Sequence, residues 1–196
     1  ILGVETNYGR NMGQFPVLDT LTTLAFDYPL EAPNREARAA FFRQQLSDYL
    51  IWCRDIRQDV HVFMGSYAGA IGLPQFLPGS IRAYGVDFDK DGEVDLRGSA
   101  EDAIGSVANF LVKHGWERGR PVLWKVASDV RSRKVLESKG DGDPGLKHRL
   151  GDLLKAGLRP LAPRSLRRAE QDTKVLLVDL PTPKRPTEYR IGFKNF

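Results

Sequence analysis

The sequence predicts an α+β protein that is mainly helical, and three observations carry that prediction. Apolar residues recur at helical spacing through most of residues 17–113. One stretch, 64–79, breaks the period with Gly65, Gly69, Gly72, Pro74, Pro78 and Gly79 and reads as a long structured loop. After Gly115 the pattern changes, and Val122–Val126, Lys174–Leu180 and Glu188–Phe193 read as strands between turn residues. The expected division is a helical core over 1–116 and a smaller mixed part over 117–196.

The first thirteen residues begin apolar and end in Gly9-Arg10-Asn11-Met12-Gly13, a helix end followed by a loop. In 17–26, Leu18, Leu21, Leu24 and Ala25 share a helical face, and Tyr28-Pro29 stops that helix. Arg35 to Asp55 is the clearest helix, with Phe41, Phe42, Leu46, Tyr49, Leu50 and Cys53 in one stripe. Ser80 to Tyr84 reads as a short helix, Asp87 to Asp95 as an acidic turn, and Ala100 to His114 as a helix with Ile104, Val107, Ala108 and Leu111 inward. Gly151–Ala156 is a short helix with Gly157 as its C-cap.

Composition narrows the class. Apolar residues make up 41% and charged residues 28%, which argues for a folded globular chain and against disorder. No apolar run approaches the roughly 18 residues that span a bilayer. The net charge of +4 suggests an anionic partner: nucleic acid, a membrane surface or an acidic cell-wall polymer. Cys53 is the sole cysteine, so no intramolecular disulfide forms, and its apolar helix face suits a buried inert thiol. His61, His114 and His148 stand apart from any nucleophile motif, and neither zinc spacing nor a phosphate-binding glycine loop is present. The abrupt opening at Ile1-Leu2-Gly3-Val4-Glu5 reads as a processed chain or a fragment.

Three constellations could carry chemistry. Glu5 sits between apolar residues and Thr6, Asn7, Tyr8 and Arg10; partial burial there would raise its pKa, as a general acid near neutral pH requires. In the loop 64–79, small residues allow close backbone approach to a ligand, and Ser66, Tyr67 and Gln75 offer hydrogen bonds and stacking. Asp87, Asp89 and Asp91 followed by Gly92 begin a calcium loop of EF-hand type, but the twelfth position is Gly98, and Glu101 and Asp102 lie further on.

Together these pieces, with Leu18 to Pro29, Asp102 to Phe110 and His114-Gly115-Trp116 in the same order, resemble the lytic murein transglycosylase B family over residues 1 to about 116. The segments 154–160 and 192–196 fit the family more loosely. The resemblance implies a lysozyme-like helical core with a smaller strand-containing lobe. It implies a periplasmic, soluble or outer-membrane-anchored enzyme that cleaves the MurNAc-β-1,4-GlcNAc bond of peptidoglycan without net addition of water. Carried over, Glu5 is the single acid and then base; Ser66 and Gln75 contact the sugar and help orient the acid; Tyr67 lines the glycan. Asn109 and Phe110 border the cleft, with Phe110 in place of a Tyr found in some relatives. Arg35 is the one candidate for an Arg pair of some relatives. Asp87, Asp89, Asp91, the Glu93 carbonyl and Asp102 match a structural calcium site. No organic cofactor is implied. The implied partners are glycan strands and cell-wall synthesis proteins, not nucleic acid, with a membrane reached only through a lipid anchor outside this chain. The family also continues past Phe196 and has helices before the position of Ile1.

Two other readings stay open at this stage. A glycan-binding module on the same fold would not need Glu5. A calcium-regulated or nucleic-acid-binding protein is suggested by the acidic loop and the basic balance, but the sequence lacks the aromatics interleaved with basic residues that a single-strand binder would show.

Overall fold

The computed structural model describes residues 1–139, 145–185 and 187–196. They form two compact units, Ile1–Lys113 and His114–Phe196.

The first unit contains α1 (Leu2–Thr6), β1 (Phe15–Pro16), α2 (Val17–Phe26), α3 (Arg35–Asp55), β2 (Met64–Gly65), α4 (Pro78–Tyr84) and α5 (Ala100–Lys113). Val17, Leu21 and Ala25 recur every fourth residue of α2 and are fully buried. They meet Phe42, Tyr49 and Cys53 of α3, and Phe63, Ile71, Phe76, Ile81 and Leu96 complete the core. Burial pushes the Cys53 thiol up, opposite to what a nucleophile needs.

The inward faces of the two long helices differ from the expected ones. Phe41 and Leu50 are exposed, while Ala39, Gln45 and Asp48 are buried. The cause is α4: Gln45 Oε1 accepts from Gly79 N at 3.0 Å, and Asp48 forms an ion pair with Arg82. The second buried flank of α3 is therefore polar, and hydrophobic periodicity cannot see it. Likewise Ile104 and Ala108 of α5 are exposed, and Asp102, Ala103, Gly105 and Ser106 face inward. Phe88 lies so close to Gly105 that a Cβ there would come within 2.7 Å of it. The helix expected from Ser80 starts two residues earlier, with Pro78 in its first turn.

The second unit contains β3 (Leu123–Lys125), α6 (Val130–Lys139), β4 (His148–Arg149), α7 (Leu150–Lys155), α8 (Arg164–Ala169), β5 (Lys174–Leu180) and β6 (Glu188–Gly192). The strands form an antiparallel sheet in the order β3-β6-β5-β4. Trp124, Leu150, Leu153, Val175, Ile191 and Phe193 belong to its core. Asn195 ties the chain end down: its amide donates to Glu117 O at 2.8 Å and its Oδ1 accepts from Glu117 N at 2.9 Å. α7 ends at Lys155 with Ala156 as its cap, and Gly157 follows at φ 107, the left-handed position where glycine closes a helix. Among the described residues no helix is long and apolar enough to cross a membrane.

Candidate active site

α1 has only five residues, too few to be stable alone. Thr6 docks it. This side chain is buried; its hydroxyl shares its one proton between Leu2 O at 3.1 Å and Leu73 O at 3.0 Å, and accepts from Gly9 N at 3.1 Å. The bond to Leu73 crosses to the glycine-rich loop. Three successive residues after the helix, Asn7, Tyr8 and Gly9, have positive φ and turn the chain sharply. The Tyr8 ring folds back over Gly3, where a Cβ would come within 2.9 Å of it.

The loop 64–79 holds the next segment. Gln75 Nε2 donates to Met12 O at 3.2 Å and to Gly72 O at 2.9 Å. A Cβ on Gly13 would collide with Gly65 O at 2.0 Å, so only glycine fits there. Beside it, β1 pairs with β2, Phe15 opposite Gly65 and Pro16 opposite Met64. Ser66 Oγ closes the adjoining turn by accepting from Ala68 N at 3.2 Å and Ala70 N at 3.1 Å.

These contacts hold the segment that carries Glu5 against the loop that carries Ser66 and Gln75. Across 1–18 and 64–79, Glu5 is the sole carboxylate. Tyr67 and Tyr8 are each 78% exposed, two open aromatic rings on the same segments. The expected burial of Glu5 is not there. Thr6 takes the inward position of the short helix, which leaves Glu5 and the 88%-exposed Val4 facing solvent.

The remaining expected site residues lie elsewhere. Asn109 Nδ2 donates to Tyr84 O at 3.0 Å, joining α5 to the end of α4. The ring of Phe110 is 5.7 Å from that of Phe76, the residue after Gln75, and 5.1 Å from that of Tyr84. Phe110 thus packs beneath the loop. Arg35 Nε donates to Tyr28 O at 2.9 Å and fixes the turn before α3.

Thr6 itself was missed by sequence reading, because a Thr beside a conspicuous acid carries no periodic signal. Thr6→Val keeps the shape but removes both the donor to Leu73 O and the acceptor for Gly9 N. It is expected to destabilise the first unit by about 1–2 kcal/mol and to slow turnover about tenfold or more through misplacement of α1. A melting curve beside kinetics on the same variant separates the two effects.

The acidic turn forms a second constellation. Asp87 Oδ1 accepts from Asp91 N at 3.2 Å and its Oδ2 from Gly92 N at 3.0 Å, and Gly92 sits at φ 99. Asp102 is 1% exposed, and its oxygens accept from Phe88 N at 2.7 Å and Asp95 N at 2.8 Å, with Asp89 N at 3.4 Å. Burial raises the Asp102 carboxyl, but these amides outweigh it and hold the group below the usual carboxylate range. Ser99 caps α5 by accepting from Asp102 N at 3.1 Å and donates to Asp89 Oδ2 at 2.8 Å. Oxygens of Asp87, Asp89 and Asp102 lie within 4.8 Å of one another. Ligands on opposite sides of a calcium ion are about that far apart, twice a bond of 2.3–2.6 Å, so the three carboxylates fit one hard cation. Asp91 is outside this group: its Oδ1 turns to Glu93 N at 2.9 Å.

A family model described as the transglycosylase SLT domain matches residues 1–196. The chain is 37% identical over 202 residues to membrane-bound lytic murein transglycosylase B of Escherichia coli (strain K12), covering 100% of this chain and 48% of that protein. It also matches the crystal structure of soluble lytic transglycosylase SltB1 from Pseudomonas aeruginosa with a TM-score of 0.81 and 40% identity, over 99% of this chain and 59% of that one. Slt35 of Escherichia coli, solved in complex with calcium, matches with a TM-score of 0.78 and 35% identity, over 99% and 55%. SltB3 from Pseudomonas aeruginosa, solved in complex with NAG-anhNAM-pentapeptide, matches with a TM-score of 0.77 and 29% identity, over 99% and 48%. The chain therefore spans roughly half the length of these relatives. Matched from its first residue to its last, this chain belongs to the transglycosylase SLT domain family.

Proposed function

We propose that this protein is a lytic transglycosylase of the cell envelope, soluble or outer-membrane-anchored, that cleaves the MurNAc-β-1,4-GlcNAc bond of peptidoglycan and leaves 1,6-anhydroMurNAc ends. The observation that supports it best is the single carboxylate, Glu5, on a short helix locked to the glycine-rich loop by Thr6 and Gln75. Two-carboxylate glycosidases hold a partner acid about 5–9 Å away, and neither of these segments supplies one. The chemistry open to one carboxyl is sequential. Glu5 donates its proton to the glycosidic oxygen as the C1–O bond breaks and its electron pair leaves with that oxygen. The substrate's own N-acetyl group stabilises the cation at C1. The Glu5 carboxylate then takes the proton of the sugar's 6-hydroxyl, and O6 closes on C1.

The loop residues suit the supporting roles. Gln75 uses only its amide nitrogen to reach Met12 and Gly72, which leaves Oε1 to accept from a sugar hydroxyl. Ser66 only accepts within its turn, so its O–H is available to donate. Tyr67 offers a face for a sugar ring, while Asn109 joins α5 to α4, Phe110 packs under the loop and Arg35 fixes the turn before α3. Mass spectrometry of sacculi digested by the intact protein tests the reading. Anhydro ends support it; reducing ends would mean hydrolysis, and no products from folded protein would mean a glycan-binding module.

Asp87, Asp89 and Asp102, with Asp91 and the Glu93 carbonyl nearby, would hold a calcium ion that braces the turn against α5, and the calcium complex of Slt35 supports that assignment. Calcium at 100 times its dissociation constant is expected to stabilise the fold by about 2.7 kcal/mol. Differential scanning fluorimetry should show Tm rising by several degrees in millimolar calcium and not in magnesium, which demands a tighter octahedron.

A further inference from the structure

The excess of positive charge lies in one unit. Residues 114–196 carry 19 Lys and Arg against 10 Asp and Glu, whereas residues 1–113 carry 10 against 15. Within the second unit it gathers in two neighbouring concavities. One, of about 740 Å³, is lined by Arg159, Arg164, Arg167 and Arg168 with Ser165, Gln171 and a floor of Leu154 and Leu158. The other, of about 480 Å³, is lined by Arg131, Lys134, Lys139 and Lys155. The end of α7 separates them, Leu154 and Leu158 facing one and Lys155 to Gly157 the other. Among the described residues, no carboxylate lines either, and of the eight cations only Arg159 has an acidic partner, Asp129 at 3.6 Å. Arg167 Nε is buried without a hydrogen-bond partner among those residues. Gathering cations with so few acidic partners among the described residues costs free energy through mutual repulsion, which an oxyanion ligand would relieve.

The neighbouring surface indicates what carries that oxyanion. Leu161 is 65% exposed and Val130 73% exposed. Leu161 ends one of two paired stretches of chain and Val130 opens α6 just after the other: Val126 bridges Pro160, Ala127 N donates to Arg159 O at 2.9 Å, and Leu161 N to Lys125 O at 2.8 Å. Two bare aliphatic side chains beside a cluster of arginines and lysines suit a lipid surface, where the aliphatics enter the headgroup boundary and the cations meet phosphates. A free phosphate or a polyphosphate chain would use the cations and ignore the aliphatics.

We propose that the α6–α7–α8 face of the second unit docks on anionic phospholipid, its arginines taking headgroup phosphates. The test is sedimentation of the intact protein with vesicles of phosphatidylcholine alone or with a third of the lipid as phosphatidylglycerol. Selective binding to the second is expected. The triple variant Lys134→Gln, Arg164→Gln, Arg168→Gln should weaken it about tenfold or more, while Arg118→Gln, Lys184→Gln, Arg185→Gln, which removes equal charge from residues lining neither concavity, should bind nearly as wild type. Leu161→Ser should weaken the part of binding that survives high salt. Circular dichroism of each variant confirms folding. Equal loss in both triple variants would overturn the site in favour of general net charge. Binding that millimolar inorganic phosphate abolishes and Leu161→Ser leaves unchanged would overturn the lipid assignment in favour of a soluble phosphate. DNA bound as tightly as vesicles, with the same dependence on the three cations, would overturn it in favour of nucleic acid.

Discussion

Glu5→Gln is expected to reduce glycan cleavage about 10³-fold or more, with sacculus binding within about twofold of wild type. General acid–base catalysis contributes about 10²–10⁴ to a rate, and a residue that serves as acid and then base loses both steps at once. Gln keeps the volume and the amide-sized surface, and the exposed side chain has no ion pair or hydrogen bond among the described residues whose loss would unfold α1. The docking of that helix depends on Thr6, which is untouched. Release of soluble fragments measures the rate, and pelleting with purified sacculi measures binding. Turnover within tenfold of wild type would remove Glu5 from the mechanism; loss of binding and turnover together would point to a positioning role.

The same neighbourhood shows what was legible in the sequence. α2 and α3 were readable because apolar residues repeat on one face, and their expected bounds agree with the structure at Val17–Phe26 and Arg35–Asp55. β5 and β6 were readable because Val, Leu, Tyr and Ile cluster between turns. α6 and α8 were not. α6 buries only Ser132, Val135 and Leu136 among charged residues, and α8 reads as a basic tract. The polar inner faces of α3 and α5 were invisible for another reason. Asp48 looks like a solvated acid until Arg82 is seen beside it, and Asp102, expected as a calcium ligand, also proves to be the acceptor for the amides of Phe88 and Asp95. For the proposed site, the resemblance singles out Glu5, Ser66 and Gln75, whereas the hydroxyl of Thr6 that brings α1 to the loop is a tertiary contact with no local signature.

Asp102→Ala is expected to be the most destabilising single change in the acidic turn, by about 3 kcal/mol or more even without calcium. The carboxylate is the acceptor for Phe88 N and Asp95 N and is shared by Asp89 N. Truncation removes the acceptor these amides share, at about 1–3 kcal/mol for each one left without a partner. Ser99 and the start of α5 lose their register with Asp89 as well. Asp102→Asn keeps one acceptor oxygen and should lose roughly half as much, but it should also abolish the calcium-induced rise in Tm, since a neutral amide is a poor ligand for a hard cation. The wild-type turn has a matching pH dependence. Its folded carboxyl lies below the unfolded value of about 3.9, so the stabilisation is fully present above that pH and is lost as pH falls through the folded pKa. Denaturant melts at pH 7 and pH 3 measure this directly: wild type should lose stability between them, and Asp102→Ala should lose less. An Asp102→Ala protein as stable as wild type in chelator, with an unchanged calcium response, would mean that the turn holds its shape and its ion without this residue.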